Sequence, residues 1–141
     1  MTDRKAVPIG AVLSPGQAHD SRFARPALES VCLKSSSPGR PRTRPRKAVG
    51  DKGYSFTTVR GYLANRGIEA VIPTKSNQAR IPGFDRRSYR GRSAVEQCIG
   101  WIKENRRVGT RYEKLSRNFL AMVQMAMIRR CLRKFDLVNR A

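Results

Sequence analysis

The chain has 141 residues, with 30 Lys and Arg against 10 Asp and Glu, a formal charge of +20 and a pI near 11.4. That length suits one domain with a real core and excludes two of ordinary size. The charge argues against an enzyme of small neutral metabolites and for a polyanionic partner. No apolar run approaches the ~18 residues of a membrane span, and charged Met1 to Lys5 lead into no long apolar segment. Neither a membrane span nor a signal peptide is expected.

Residues 7–13, Val-Pro-Ile-Gly-Ala-Val-Leu, read as a short strand stopped by Ser14-Pro15-Gly16. Over residues 22–33, Phe23, Ala27, Leu28 and Val31 have helical spacing, with Ser21 or Asp20 as N-cap. From Lys34 to Lys47 come six basic residues, three prolines and no acid. The prolines forbid regular helix and the charges repel, so 34–47 reads as a basic linker, either solvated or laid along phosphates. Ala48-Val49-Gly50 is a buried-strand candidate ending at Asp51. Thr57 to Arg66 reads as a helix with Val59, Tyr62 and Leu63 on one side and Gly67 as its stop. Ile68 to Pro73 is the clearest strand, β-branched and ended by proline. Residues 77–87 are polar, hold Pro82 and Gly83, and read as a loop.

Two helices close the chain. One runs from about Ser93 to Arg107, with Val95, Cys98, Ile99 and Ile102 as an inward apolar stripe. The other spans about Ser116 to Phe135 and is apolar on most of its sides early on, so much of it should be buried. The alternation of strands and helices is an α/β order, without internal repeats. Charge is uneven: from Arg86 to Ala141 there are 15 basic and 4 acidic residues. Cys32, Cys98 and Cys131 are widely spaced with no C-x-x-C pair, which fits packed small residues in a reducing compartment rather than disulfides or zinc. The single His19 supports no His-rich metal site.

Three acidic positions invite chemistry. Asp51 opens Asp-Lys-Gly-Tyr (51–54) at the end of a strand, where ligands bind in open α/β sheets and a carboxylate suits a hard cation. An aspartate before glycine is also an ordinary turn residue. Ser93-x-x-Glu96 is a capping-box pattern that would by itself explain Glu96. Yet Arg92, Glu96 and Lys103 fall on one helical face, and Gly100 between them leaves that face bare for close approach. Asp3, near the terminus, is unremarkable alone.

The spacing Tyr89-x2-Arg92-x3-Glu96-x6-Lys103 resembles the Tyr-Arg-Glu-Lys signature of DDE-type transposases of bacterial insertion sequences. Asp51-Lys52-Gly53-Tyr54 resembles the segment of that family's second catalytic aspartate, and residues 7–21 resemble the strand and loop after its first, which would be Asp3. The resemblance covers roughly residues 3 to 135. It implies an RNase H-like fold with C-terminal helices, incomplete because most of the first central strand would precede Asp3. Residues 1–141 would form a single truncated catalytic domain, without the family's amino-terminal DNA-recognition region. Ala6 stands where related sequences tend to have a turn glycine.

The same resemblance makes Asp3, Asp51 and Glu96 catalytic residues and ligands of two Mg²⁺ or Mn²⁺ ions, which would activate the nucleophile and stabilise the leaving oxygen. Tyr89, Arg92 and Lys103, with Lys52, Arg106 and Arg107, would position DNA phosphates. The implied partners are insertion-sequence ends and target DNA, bound by a homo-oligomer in the nucleoid-associated cytoplasm, with no membrane. Transposition by strand cleavage and transfer would be impaired or absent in the isolated fragment. The alternative is a non-catalytic basic remnant that coats nucleic acid through its phosphates. A ribosomal or chromatin-like protein would explain the charge, but neither Gly100 beside Glu96 nor Asp51 at a strand end.

Overall fold

The computed structural model, which describes residues 1–34 and 37–138, pairs β1 (Lys47–Val49) in parallel with β2 (Glu69–Val71). Ala48 faces Ala70 and Val49 faces Val71. A parallel pair needs a crossover, and α2 (Thr57–Asn65) provides it. The helix expected over 57–66 is therefore present, as are strands overlapping 48–50 and 68–73, the second shorter than its apolar run; the first is not buried as expected, since Val49 is 36% exposed. Gly67 ends α2 at φ +63°, with its N–H on the Ala64 carbonyl and the Ile68 N–H on the Leu63 carbonyl.

The chain divides into two compact units, residues 14–92 and residues 1–13 together with the segment from 93 onward. In the first, α2 turns Val59 and Leu63 inward to join Leu28, Ile68 and Ile72 in a core. Leu63 is 1% exposed. Leu28 comes from α1 (Ala24–Glu29), which follows a 3₁₀ turn at Asp20–Phe23. The helix expected over 22–33 thus stops early. Leu33 exchanges backbone hydrogen bonds of 2.9 and 2.8 Å with Arg42, so its donor goes to a bridge instead of a helical turn. Arg42 lies inside the expected linker 34–47, of which Ser35 and Ser36 lie outside the described residues. A short α3 (Arg86–Arg90) begins in the last two residues of the expected loop 77–87. Asp85 caps it by accepting the Ser88 N–H at 2.9 Å, and five residues are too few to show helical periodicity in sequence.

The second unit holds α4 (Ser93–Lys103), α5 (Arg106–Gly109) and α6 (Ser116–Val138). Its buried cluster is small: Ala6, Ala94 and Cys98, with Trp101 and Ile102 against them. The strand expected at 7–13 reduces to one antiparallel bridge between Thr2 and Pro8. The backbone there folds on itself, Asp3 N–H to Val7 carbonyl at 2.9 Å and Ile9 N–H to Met1 carbonyl at 3.0 Å. Ala6 sits in the turn at φ +58°, a left-handed conformation that favours glycine. The helix expected over 93–107 breaks after Lys103. Asn105 Nδ2 donates to the Trp101 and Ile102 carbonyls at 3.5 and 3.0 Å, satisfying acceptors that a continuing helix would have used. Gly109 completes the break: a Cβ there would stand 2.6 Å from the Lys103 carbonyl oxygen.

The largest departure is in α6. Its neighbours α4 and α5 cover one side, where Ala126 is 5% exposed. Met125, Ile128, Leu132 and Phe135 form an apolar stripe that is 53 to 65% exposed, against the expectation of general burial. Pattern tells which faces can be buried; only the neighbours decide which are. The α4 stripe is likewise divided, with Cys98 buried and Ile99 46% exposed. Val95, Ile99, Ile102, Val123 and Met127 border an apolar cavity of about 220 Å³. Of the cysteines, Cys98 is buried as expected and Cys32 is exposed. No helix among the described residues is long and apolar enough to cross a membrane.

Candidate functional site

Asp51 lies two residues beyond the carboxyl end of β1, in the unit of residues 14–92. It is exposed and caps the 3₁₀ turn Lys52–Tyr54, its Oδ1 accepting the Gly53 N–H at 2.8 Å. Gly53 belongs to this geometry, because a Cβ on it would stand 2.9 Å from that same oxygen. Oδ2 of Asp51 receives no hydrogen bond among the described residues. Burial, then the nearby Asp20 and Asp51 carboxylates, push the Tyr54 hydroxyl pKa up.

A polar core holds this turn from behind. Ser55 is fully buried; its Oγ donates to Gln78 Oε1 at 2.6 Å, and Gln78 Nε2 returns a bond to the Ser55 carbonyl at 2.6 Å. Arg60 Nη2 donates to Ser55 Oγ at 3.0 Å and to the Ile72 carbonyl at 2.7 Å. Helix, loop and the segment after β2 are thereby tied to the turn that presents Asp51.

Tyr89 is on α3, edge-on to Phe84 at 5.4 Å, and the Arg92 guanidinium lies 6.0 Å from its ring centroid. Gly91 and Arg92 form a turn ahead of α4, and Arg92 directly precedes its first residue. Gly91 N–H and Arg92 N–H close on the Ser88 and Tyr89 carbonyls at 3.0 Å each, ending one helix before the next starts. Glu96 lies in the first turn of α4 and Lys103 in the last, both exposed. Gly100 between them is as bare as expected, since a Cβ there meets nothing within 4 Å. Arg106 and Arg107 are exposed on α5, and Arg107 reaches Glu113 at 3.7 Å. Lys52 is exposed in the Asp51 turn.

Asp3 is exposed and closes its own turn, its Oδ1 accepting the Lys5 and Val7 N–H groups at 2.8 Å each. Through Ala6, which packs with Ala94 and Cys98, this turn belongs to the same unit as Glu96. Asp51 belongs to the other. Among the described residues no three His, Cys, Asp or Glu side chains gather as a metal site. The donors are hard oxygens of the right chemistry for Mg²⁺.

One cluster escaped the sequence. Arg129, Arg130 and Arg133 of α6 share a small cavity with Trp101, Glu104 and Asn105. The Arg130 guanidinium carbon lies 3.1 Å from the Trp101 ring centroid and Lys134 Nζ lies 5.8 Å from it. The signal was the basic run Arg129-Arg130 and Arg133-Lys134 on a helix, together with the single tryptophan, which local periodicity does not bring together.

With that geometry in view, the chain matches the family model described as transposase DDE domain over residues 48–133, a stretch that includes Asp51 and Glu96 but not Asp3. It is 29% identical over 114 residues to a Burkholderia cepacia protein assigned as a transposase for insertion sequence element IS402. That match covers 81% of this chain and 52% of the relative, so the chain spans about half the length of the curated relative it matches. No solved structure matches.

Proposed function

Because the chain belongs to the transposase DDE domain family, we propose that it is part of the catalytic machinery of an insertion-sequence transposase, acting on DNA. In this reading both units belong to one RNase H-like catalytic domain. Asp3, Asp51 and Glu96 are its acidic residues. Lys52, Tyr89, Arg92, Lys103, Arg106 and Arg107 hold DNA phosphates at element ends and target, with copies assembling on the DNA in the bacterial nucleoid. The observation that carries the reading is Asp51: an exposed carboxylate beyond the carboxyl end of a parallel strand, in a turn shaped around Gly53.

The family's chemistry uses divalent ions to activate a nucleophile and stabilise a leaving oxygen. Asp3, Asp51 and Glu96 would be the carboxylates that hold such ions. What the chain's own groups do is electrostatic. Exposed Lys103, Arg106 and Arg107 follow one another along the end of α4 and α5 and offer point charges and guanidinium forks to phosphates. Bare Gly100 admits a backbone close to Glu96.

The test is Mg²⁺- or Mn²⁺-dependent nicking of element-end DNA by the complete transposase reading frame. Asp51→Asn is expected to abolish nicking while DNA binding persists; equal nicking by the variant removes the catalytic assignment. A second reading, a basic binder without catalysis, is favoured by the formal charge of +20. It predicts no Asp51-dependent nicking, but binding that falls steeply with salt and ignores sequence.

A further inference from the structure

We propose that the cavity between α4, α5 and α6 is a seat for one phosphate of a DNA backbone, outside the Asp51 and Glu96 segments. The inference rests on the reading above that DNA is the partner. The cavity measures about 20 Å³, room for an anion's oxygen and not for a base or sugar. Three of its seven lining residues are arginines, Arg129, Arg130 and Arg133, and the one acid is Glu104.

The arginines are arranged, not merely crowded. Arg130 lies over the indole of Trp101 at 3.1 Å, which fixes a guanidinium in place through cation–π attraction. Its Nε is buried without a hydrogen-bond partner, and no ion pair joins Arg130 to a carboxylate among the described residues. Arg129 Nη1 is held by Asn105 Oδ1 at 3.1 Å, and Asn105 is itself tied to the end of α4. Arg133 is exposed at the rim. Three like charges repel, and one acid does not neutralise them. An external anion does, and a phosphodiester presents the paired oxygens that a guanidinium fork matches. Burial also lowers the Arg130 pKa, the sign of a desolvated cation that gains from a counter-ion.

Trp101 is the only tryptophan in the chain and touches the site, so its fluorescence reports occupancy directly. The 141-residue chain is titrated with short duplex DNA and, separately, with inorganic phosphate, while anisotropy of labelled duplex follows binding between 50 and 200 mM salt. Duplex is expected to change Trp101 emission at concentrations where matched inorganic phosphate does not. Arg133→Gln, an exposed substitution, is expected to weaken duplex binding about tenfold near 0.1 M salt and to lower the salt slope by about one. Arg130→Gln is expected to do the same, with a thermal melt confirming that it folds. Arg22→Gln, in the other unit, is expected to change neither slope nor Trp101 response.

Wild-type duplex binding with an unchanged slope in Arg133→Gln overturns this site and leaves the broader DNA reading standing. An equal Trp101 response to inorganic phosphate and duplex overturns the DNA-backbone assignment in favour of a free-phosphate pocket. No duplex binding by the wild-type chain, at any salt in that range, overturns the DNA reading itself and this site with it.

Discussion

The two units use their cations in opposite ways. In residues 14–92 many cations have internal partners: Lys47 bridges Glu69 and Asp85 at 2.9 and 2.8 Å, Arg25 holds Glu29 at 2.9 Å, and Arg44 donates to the Arg66 carbonyl at 3.0 Å. Arg60 reaches the polar core behind the Asp51 turn. In the other unit Arg129, Arg130 and Arg133 face a shared cavity, and Arg107 makes a loose 3.7 Å contact with Glu113. In one unit cations brace separate elements against each other; in the other three arginines converge on one cavity. The apolar surfaces follow the same division, with Leu63 enclosed in one and Leu132 displayed in the other.

That contrast can be broken most forcefully at the two leucines. Leu63→Ala should cost about 2–5 kcal/mol by denaturant titration, because a buried side chain leaves a cavity. Leu132→Ala, at 59% exposure, should fall within about 0.5 kcal/mol. Comparable losses would mean that the α6 stripe is covered in solution.

Gly109→Ala should come next, with a loss of about 1–3 kcal/mol. Its Cβ would meet backbone and not a movable side chain, so the α4–α5 break must shift.

Acid sharpens the difference in charge use. The Lys47 ammonium first, and then the Ser88 N–H, hold the Asp85 carboxyl well below the usual carboxylate range. A lowered folded pKa gives stability that is fully present above the unfolded value of about 3.9 and is lost as pH falls through the folded one. Melting temperature should therefore drop below about pH 4, and less so in Asp85→Asn, which has already lost the pair at neutral pH.

Gly100→Ala should have the smallest effect, and one of opposite sign. A Cβ meets nothing there, so α4 should gain about 0.5–1 kcal/mol of stability. DNA affinity should fall if a backbone approaches Glu96 over that bare face. A stabilised variant with unchanged affinity would remove Gly100 from the proposed interface.

Local chemistry was legible along the chain. The α2 period, the Gly67 stop, the two β-branched stretches, the bare Gly100 and the turn-forming character of Asp51-Lys52-Gly53 all follow from residues within a few positions of one another. Ala6, where the family resemblance pointed to a turn glycine, has a left-handed φ of +58°. The failures lie where a segment's fate depends on distant partners. Residues 7–13 have strand character but pair only at Pro8, because the backbone before them turns back on itself. Helix 93–107 breaks because one asparagine side chain reaches carbonyls that sequence cannot rank against helical continuation.

What the amino-acid order determined by itself is thus α2 with its glycine stop, the strand segments on either side of it and the excess of positive charge. Which face of α6 is enclosed, which arginines meet Trp101 and which carboxylates share a unit were decided only by tertiary packing. The reason is range. Propensity, capping and turn geometry act over a few bonds, whereas burial and charge pairing depend on the surfaces that the fold brings together across many residues.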